Sequence, residues 1–192
     1  MDDRLQFLRE EMSKILKPSR YEHTIGVAYT AANLAMRYQV SIEDAYIAGL
    51  LHDNAKYVAK EELLCICEEN HLPISEIERK NVYLLHSKAG AIKARDLYGI
   101  EKEDILNAIT YHTTGRPGMS TLEKIIFVAD YIEPNRRIIP NLDKVRKEAY
   151  LDLDRTVAWI LSNTISYLLE TKSKEDIDQT TIESYEYYKQ KE

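Results

Sequence analysis

The sequence predicts an all-α fold, and three observations carry the prediction. Glycine (6) and proline (5) are scarce over 192 residues, charged residues make up 30% of the chain, and Ala, Leu, Ile, Glu and Lys dominate the composition, as expected of a helical protein. Apolar residues recur at three- and four-residue spacing in successive segments. Between those segments stand helix signals such as Pro18, Ser41 and Gly99, which start or stop a helix rather than turn a strand. The length suits a single domain over residues 1–192, with the motif-bearing core at about 15–170 and a C-terminal helical tail.

In chain order, Leu5, Phe7, Leu8, Met12, Ile15 and Leu16 make residues 2–16 an amphipathic helix, which Pro18 ends. Ser19 and Glu22 form a capping-box pattern for a second helix that runs to about Tyr38 and places Arg20 and His23 on one face. Ser41 and Asp44 repeat the pattern before a third helix, with His52-Asp53 towards its C-terminal end and Asp53 and Lys56 sharing a face. Lys60–Asn70 reads as a short helix holding Cys65 and Cys67, followed by a turn at His71-Leu72-Pro73. His71 sits among polar turn residues and is excluded from any site. Ser75–Leu85 reads as one helix that delivers His86, and Ser87–Tyr98 as another that Gly99 stops. Residues 101–112 form an amphipathic helix ending at His112; Leu122–Ile132, the most apolar helix, contains Asp130. A connecting stretch, a long helix over 152–170 and a short tail helix near Tyr185, Tyr187 and Tyr188 complete the chain.

The net charge of −6 argues against a surface that coats nucleic acid, so a duplex partner is not expected and any phosphate-binding cations must be local. Cys65 and Cys67 point to different faces of a helix, which excludes a mutual disulfide and suggests buried free thiols. That usage fits a reducing compartment. The N-terminus lacks the apolar core of a signal peptide, and no apolar run approaches a membrane span. A cytoplasmic location is expected.

The chemistry-bearing residues follow a common grammar. Apolar runs end in His52-Asp53, His86, His112 and Asp130, although polar groups in a dry interior are costly unless partnered. With His23 they offer four histidines and two aspartates for one site, a donor set a metal ion would satisfy. Imidazole with carboxylate, without sulfur, suits Fe, Mn, Co or Zn. Each block also carries a cation, namely Arg20, Lys56, Arg116 or Arg136, and four together point to phosphate. Thr113-Thr114-Gly115 adds hydroxyls and amides suited to holding a phosphate chain.

The order His23, His52-Asp53, Asp130 resembles the HD-domain superfamily of metal-dependent phosphohydrolases. Arg20-Tyr21-Glu22-His23-Thr24, Leu51-His52-Asp53-Asn54-Ala55-Lys56, Tyr111-His112-Thr113-Thr114-Gly115-Arg116 and Val128-Ala129-Asp130-Tyr131-Ile132-Glu133-Pro134-Asn135-Arg136 are similar to the YqeK family within it. The resemblance implies an HD-domain-like helical bundle that contains one or two iron ions and hydrolyses diadenosine tetraphosphate at its centre to two ADP. It also implies a homodimer. The metal would be held by His23, His52, Asp53 and Asp130, with His86 and His112 either ligating a second ion or facing the phosphates. Asp53, His86, His112 and Asp130 would be the catalytic residues. Substrate would be met by Arg20, Asp53, Asn54, Ala55, Lys56, His86, His112, Thr113, Thr114, Gly115, Arg116 and Arg136, with Tyr83 or Tyr111 available to stack on adenine. Asn54 departs from the family pattern, in which a tyrosine or an apolar residue often follows the His-Asp pair, and so bears on local packing or substrate contacts. Two other classes fit the donor set: a di-iron oxygenase on a related scaffold, which would need no arginine cluster, and a nucleotide-sensing module that binds without turnover.

Overall fold

Pro18 sets the first corner of the chain. It closes α1 (Asp3–Ile15) and occupies the first turn of α2 (Pro18–Tyr38), whose N-cap is Lys17. A proline at that position lacks only an N–H that the helix would leave unused. The capping box expected from Ser19 and Glu22 does not form, because the helix starts before Ser19. The box-like start of α3 (Ile42–Leu51) does form, with the Ser41 side chain accepting from the Asp44 N–H.

The computed structural model describes residues 3–136, 139–171 and 177–191, and among them there is no strand. The helices continue as α4 (Lys60–Glu69), α5 (Glu76–Lys80), α6 (His86–Tyr98), α7 (Glu103–Thr110), α8 (Thr121–Ile132), α9 (Leu142–Glu148), α10 (Leu153–Thr171) and α11 (Gln179–Tyr188). The single helix expected over 75–85 is broken at Asn81, which leaves helical geometry at φ −121° and ψ 72°. Asparagine competes for backbone hydrogen bonds and is poor in a helix interior. A 3-10 turn, Val82–Leu85, then brings His86 inward. α9 was not anticipated; it is short, with Leu142 and Val145 as its buried residues.

α8 is the central rod and packs against α2, α3, α7 and α10, which accounts for its apolar surround of Leu122, Ile125, Ile126, Phe127, Val128, Ala129 and Ile132. A smaller core of Ala55, Leu63, Cys67, Leu85 and Ala89 lies beneath α4 and α6. The cysteines do point apart, but only Cys67 is buried, while Cys65 is exposed. Burial pushes the Cys67 thiol up to about 11.

Two close approaches hold the site-bearing elements in place. α2 and α3 meet at Gly49, where a Cβ would lie 2.9 Å from Ala28 Cα and 3.1 Å from Ala28 N. At the C-terminal end, the buried Tyr188 hydroxyl accepts the Met119 N–H at 2.8 Å, tying α11 to the loop after His112. Gly49→Ala must therefore push two backbones apart, with an expected loss of about 1–3 kcal/mol. A chain of this size loses roughly 2–4 °C of melting temperature per kcal/mol, so an unchanged thermal melt would show that the approach is slack. Tyr188→Phe leaves the Met119 N–H without its acceptor and should cost about 1–3 kcal/mol in denaturant unfolding.

Candidate metal and phosphate site

Three of the histidines stand at the ends of turns. His52 caps α3, His86 follows the 3-10 turn and begins α6, and His112 follows α7. The last carbonyls of a helical turn have few or no intrahelical donors, and each of these rings adds one. His52 Nδ1–H donates to Gly49 O at 2.6 Å, His86 Nδ1–H to Tyr83 O at 2.6 Å, and His112 Nδ1–H to Ile109 O at 2.7 Å. Each bond fixes the tautomer and turns Nε2 inward. His23 lies inside α2, where the main-chain carbonyls serve the helix, and its Nδ1–H donates instead to Glu133 Oε1 at 3.0 Å.

Asp53, 1% exposed, is the centre on which these rings converge. Its Oδ2 lies 3.4 Å from His52 Nε2 and 3.1 Å from an Arg20 guanidinium nitrogen. Its Oδ1 faces His86 Nε2 at 3.1 Å, Lys56 Nζ at 3.4 Å and His112 Nε2 at 3.7 Å. Asp130 Oδ1 lies 3.0 Å from His23 Nε2 and 3.9 Å from His52 Nε2. Ligand atoms about 2.1 Å from one ion stand roughly 3 Å apart when adjacent and about 4.2 Å apart when opposite, the range found here. Despite these approaches, His23 Nε2, His52 Nε2 and Asp53 Oδ1 are buried with no hydrogen-bond partner among the described residues. The donors thus fit a metal ion: the unpaired atoms are nitrogen and carboxylate lone pairs, and they face one another.

The electrostatics agree. Burial opposes charge on Asp53, but the charge of His52 and polar contacts with His112, His52 and His86 outweigh it and hold the carboxyl well below its ordinary range. Asp130 is likewise lowered, with contact from His23 and the charges of His52 and His112 overcoming burial. Burial also opposes a proton on His52, yet Asp53 and Asp130 win and raise its pKa. A charge balance that favours a proton there favours any cation. His112 goes the other way, pushed down to about 4 by burial and then by the neighbouring His52 and His86.

Of the residues singled out in the sequence, Arg20, His23, His52, Asp53, Lys56, His86, His112 and Asp130 come together, with an Arg136 guanidinium nitrogen 4.0 Å from Asp130. Three proposed substrate side chains are committed elsewhere. Asn54 donates to Leu51 O and Gly90 O, both at 2.9 Å, and pins the turn to α6. Ala55 packs in the smaller core. Arg116 makes a two-pronged pair with the buried Glu123 at 2.8 and 3.1 Å, its guanidinium also over the Tyr111 ring. Thr113 Oγ1 is buried without a hydrogen-bond partner among the described residues, and Thr114 Oγ1 donates to Gly115 O. Tyr83 is 56% exposed with Lys60 over its ring. The tyrosines beside the site are instead Tyr57, Tyr131 and Tyr167, which line a cleft of about 870 Å³ together with Arg20, His23 and Arg136. Glu133 was missed as a site residue. Its signal was the grammar of Asp130 repeated three residues on, an acid at the end of the same apolar run.

Comparison with known proteins places this arrangement. Residues 20–135 match the family model described as the HD domain. The chain is 44% identical to the symmetrical bis(5'-nucleosyl)-tetraphosphatase of Halalkalibacterium halodurans, over 92% of this chain and 95% of the relative. It is also 44% identical to the protein so named from Bacillus subtilis, over 81% and 82% of the two chains. A crystal structure from Clostridium acetobutylicum, described as a "predicted HD superfamily hydrolase involved in NAD metabolism", matches with a TM-score of 0.92 at 39% identity, covering 97% of each chain. The chain therefore belongs to the HD-domain superfamily and, within it, to the family of symmetrical bis(5'-nucleosyl)-tetraphosphatases.

Proposed function

We propose that this protein hydrolyses diadenosine tetraphosphate at its centre, consuming one water and yielding two ADP. The observation that carries the reading is a buried His/Asp cluster with unpaired donor atoms, with Lys56 against Asp53 and with Arg20 and Arg136 lining a nucleotide-sized cleft beside it. The names of its relatives agree with it. His23, His52, Asp53 and Asp130 would hold one divalent ion; their nitrogen and oxygen donors suit Fe, Mn, Co or Zn alike, and the family resemblance points to iron. When bound, such an ion acidifies a water and polarises a phosphoryl oxygen.

The chain's own groups do the rest. Arg20 is anchored on Asp53 and also lines the cleft, so it can meet a phosphate without moving far. Arg136 enters the same cleft from beyond α8. Between them they would hold one ADP half, with Tyr57, Tyr131 or Tyr167 against the base. Lys56 Nζ lies 3.1 Å from His86 Nε2, and the His86 and His112 Nε2 atoms are 3.3 Å apart. Because an ammonium group already stands at this second cluster, we assign His86 and His112 to the phosphate side of the site rather than to a second ion: with each Nδ1–H given to a carbonyl, His86 Nε2 accepts from Lys56 and steadies that ammonium for a phosphate. Lys56 would then offset charge developing on the departing ADP. This ring of cations favours phosphate chemistry over the oxygenase alternative. A nucleotide substrate and free cysteines support a cytoplasmic setting.

Hydrolysis in oxygen-18 water, read by mass spectrometry, should give two ADP with a single label on a terminal phosphate. Products of AMP and ATP would defeat the central cleavage, and binding without turnover under every metal loading would favour the sensing module. His86→Ala should keep the metal content of the parent protein and lose nucleotide affinity about tenfold or more, as expected when Lys56 loses a charge-assisted hydrogen bond of roughly 1.5–3 kcal/mol, and His112→Ala should keep the metal as well. Loss of metal from either variant would instead assign that ring to an ion.

A further inference from the structure

His23 differs from His52, His86 and His112 in what steadies it. Those three rings rest on main-chain carbonyls, which no side-chain substitution removes, whereas His23 rests on the Glu133 carboxylate from across the fold. Glu133 is 1% exposed and is held from several sides. Its Oε2 accepts the Asn135 N–H at 2.6 Å, its own N–H donates to Ala129 O at 3.0 Å, and its carbonyl accepts from the Arg136 N–H at 3.0 Å and from Arg146 of α9 at 2.9 Å. Room for it is made on α2, because a Cβ built on Gly26, three residues after His23, would run into Glu133 Oε2. A buried acid with both oxygens assigned, a glycine cut to fit it and a short helix whose arginine clamps its main chain form a built support.

We infer that Glu133 is the positioning residue of His23, fixing its Nε2 lone pair on the metal site and raising its strength as a ligand. The inference rests on the metal-hydrolase reading above and deepens it. A carboxylate behind a ligating imidazole fixes the tautomer and increases ring basicity, and loss of such a partner typically weakens metal binding 10–100-fold. Through the Asn135 and Arg136 amides the same carboxylate and carbonyl shape the turn that aims Arg136 at the cleft.

The test is Mn2+ binding to chelator-stripped protein, followed by electron paramagnetic resonance of the free ion, with the metal-free thermal melt as the control for folding. Glu133→Ala should weaken Mn2+ binding 10–100-fold. Glu133→Gln should fall between it and the parent, because an amide oxygen still accepts from His23 while the amide NH2 has no bond to make with the Asn135 N–H. Gly26→Ala, which leaves every ligand and Glu133 chemically intact, should also weaken Mn2+ by displacing the carboxylate. Mn2+ affinity of Glu133→Ala within twofold of the parent would overturn the inference. So would losses in all three variants that track only the drop in metal-free melting temperature, since that marks Glu133 as structural. A parent protein that binds none of Mn2+, Fe2+, Co2+ and Zn2+ would overturn the metal reading and this inference with it.

Discussion

A carboxylate buried where water cannot solvate it is the constraint on which the rest of the site depends. Asp53 is 1% exposed, and an ion that deep is strongly unfavourable without partners. Its partners are recruited from separate elements: Arg20 from α2, His52 and Lys56 from the end of α3 and its following turn, His86 from the start of α6 and His112 from the end of α7. No two consecutive helices supply them all. The charge of Asp53 is compensated when the whole helical set has assembled, so the site and the fold are one cooperative unit.

The placement of those partners at turn ends does two things at once. A helix C-terminus carries orphan carbonyls and a partial negative charge. The His52 and His112 rings satisfy some of those carbonyls through Nδ1 and offer Nε2 to the interior, while the dipoles of α3, α7 and α8 end near Asp53 and Asp130 and add to the demand for positive charge. Mid-helix His23 cannot use this device, which is why an acid from outside its own helix stands behind it. Arg146 completes the pattern at the end of α8, donating to the carbonyls of Ile132 and Glu133.

Much of this was legible in the sequence, for a physical reason. An apolar run ending in His or Asp declares both a buried face and a polar group that must be satisfied at its end, and His52-Asp53, His86, His112 and Asp130 all stand where that grammar puts them. The helices were likewise readable from periodicity, apart from the break at Asn81 and the short α9, whose seven residues give periodicity too little to work with. What periodicity cannot show is which long-range partner a side chain selects. Arg116 looked like a phosphate cation, yet its partner Glu123 also fills the capping box of α8. Asn54 looked like a departure near the substrate and proved to be a pin to α6. The cleft tyrosines were hidden for the same reason, since Tyr57, Tyr131 and Tyr167 meet only after α8 and α10 pack together.

The cations also resolve an apparent conflict between a chain of net charge −6 and a polyanionic substrate. Screening confines electrostatic attraction to about 8 Å at physiological salt, so what matters is the charge a phosphate meets at the mouth of the site. Inside, Asp53 and Asp130 face the imidazoles and would share a cation, while Glu133 is turned to His23 and the Asn135 amide. Asp53 and Glu133 therefore have their countercharge or donor behind the surface, while Asp130, its side chain 24% accessible, has His23 and Arg136 against it. Arg20, Lys56 and Arg136 are left partly exposed at the rim, with side chains 30%, 32% and 37% accessible. The burial of Asp53 and Glu133 that makes the site expensive to build thus also keeps those two charges from the substrate, and with Arg136 against Asp130 it leaves a locally positive entrance on an acidic protein.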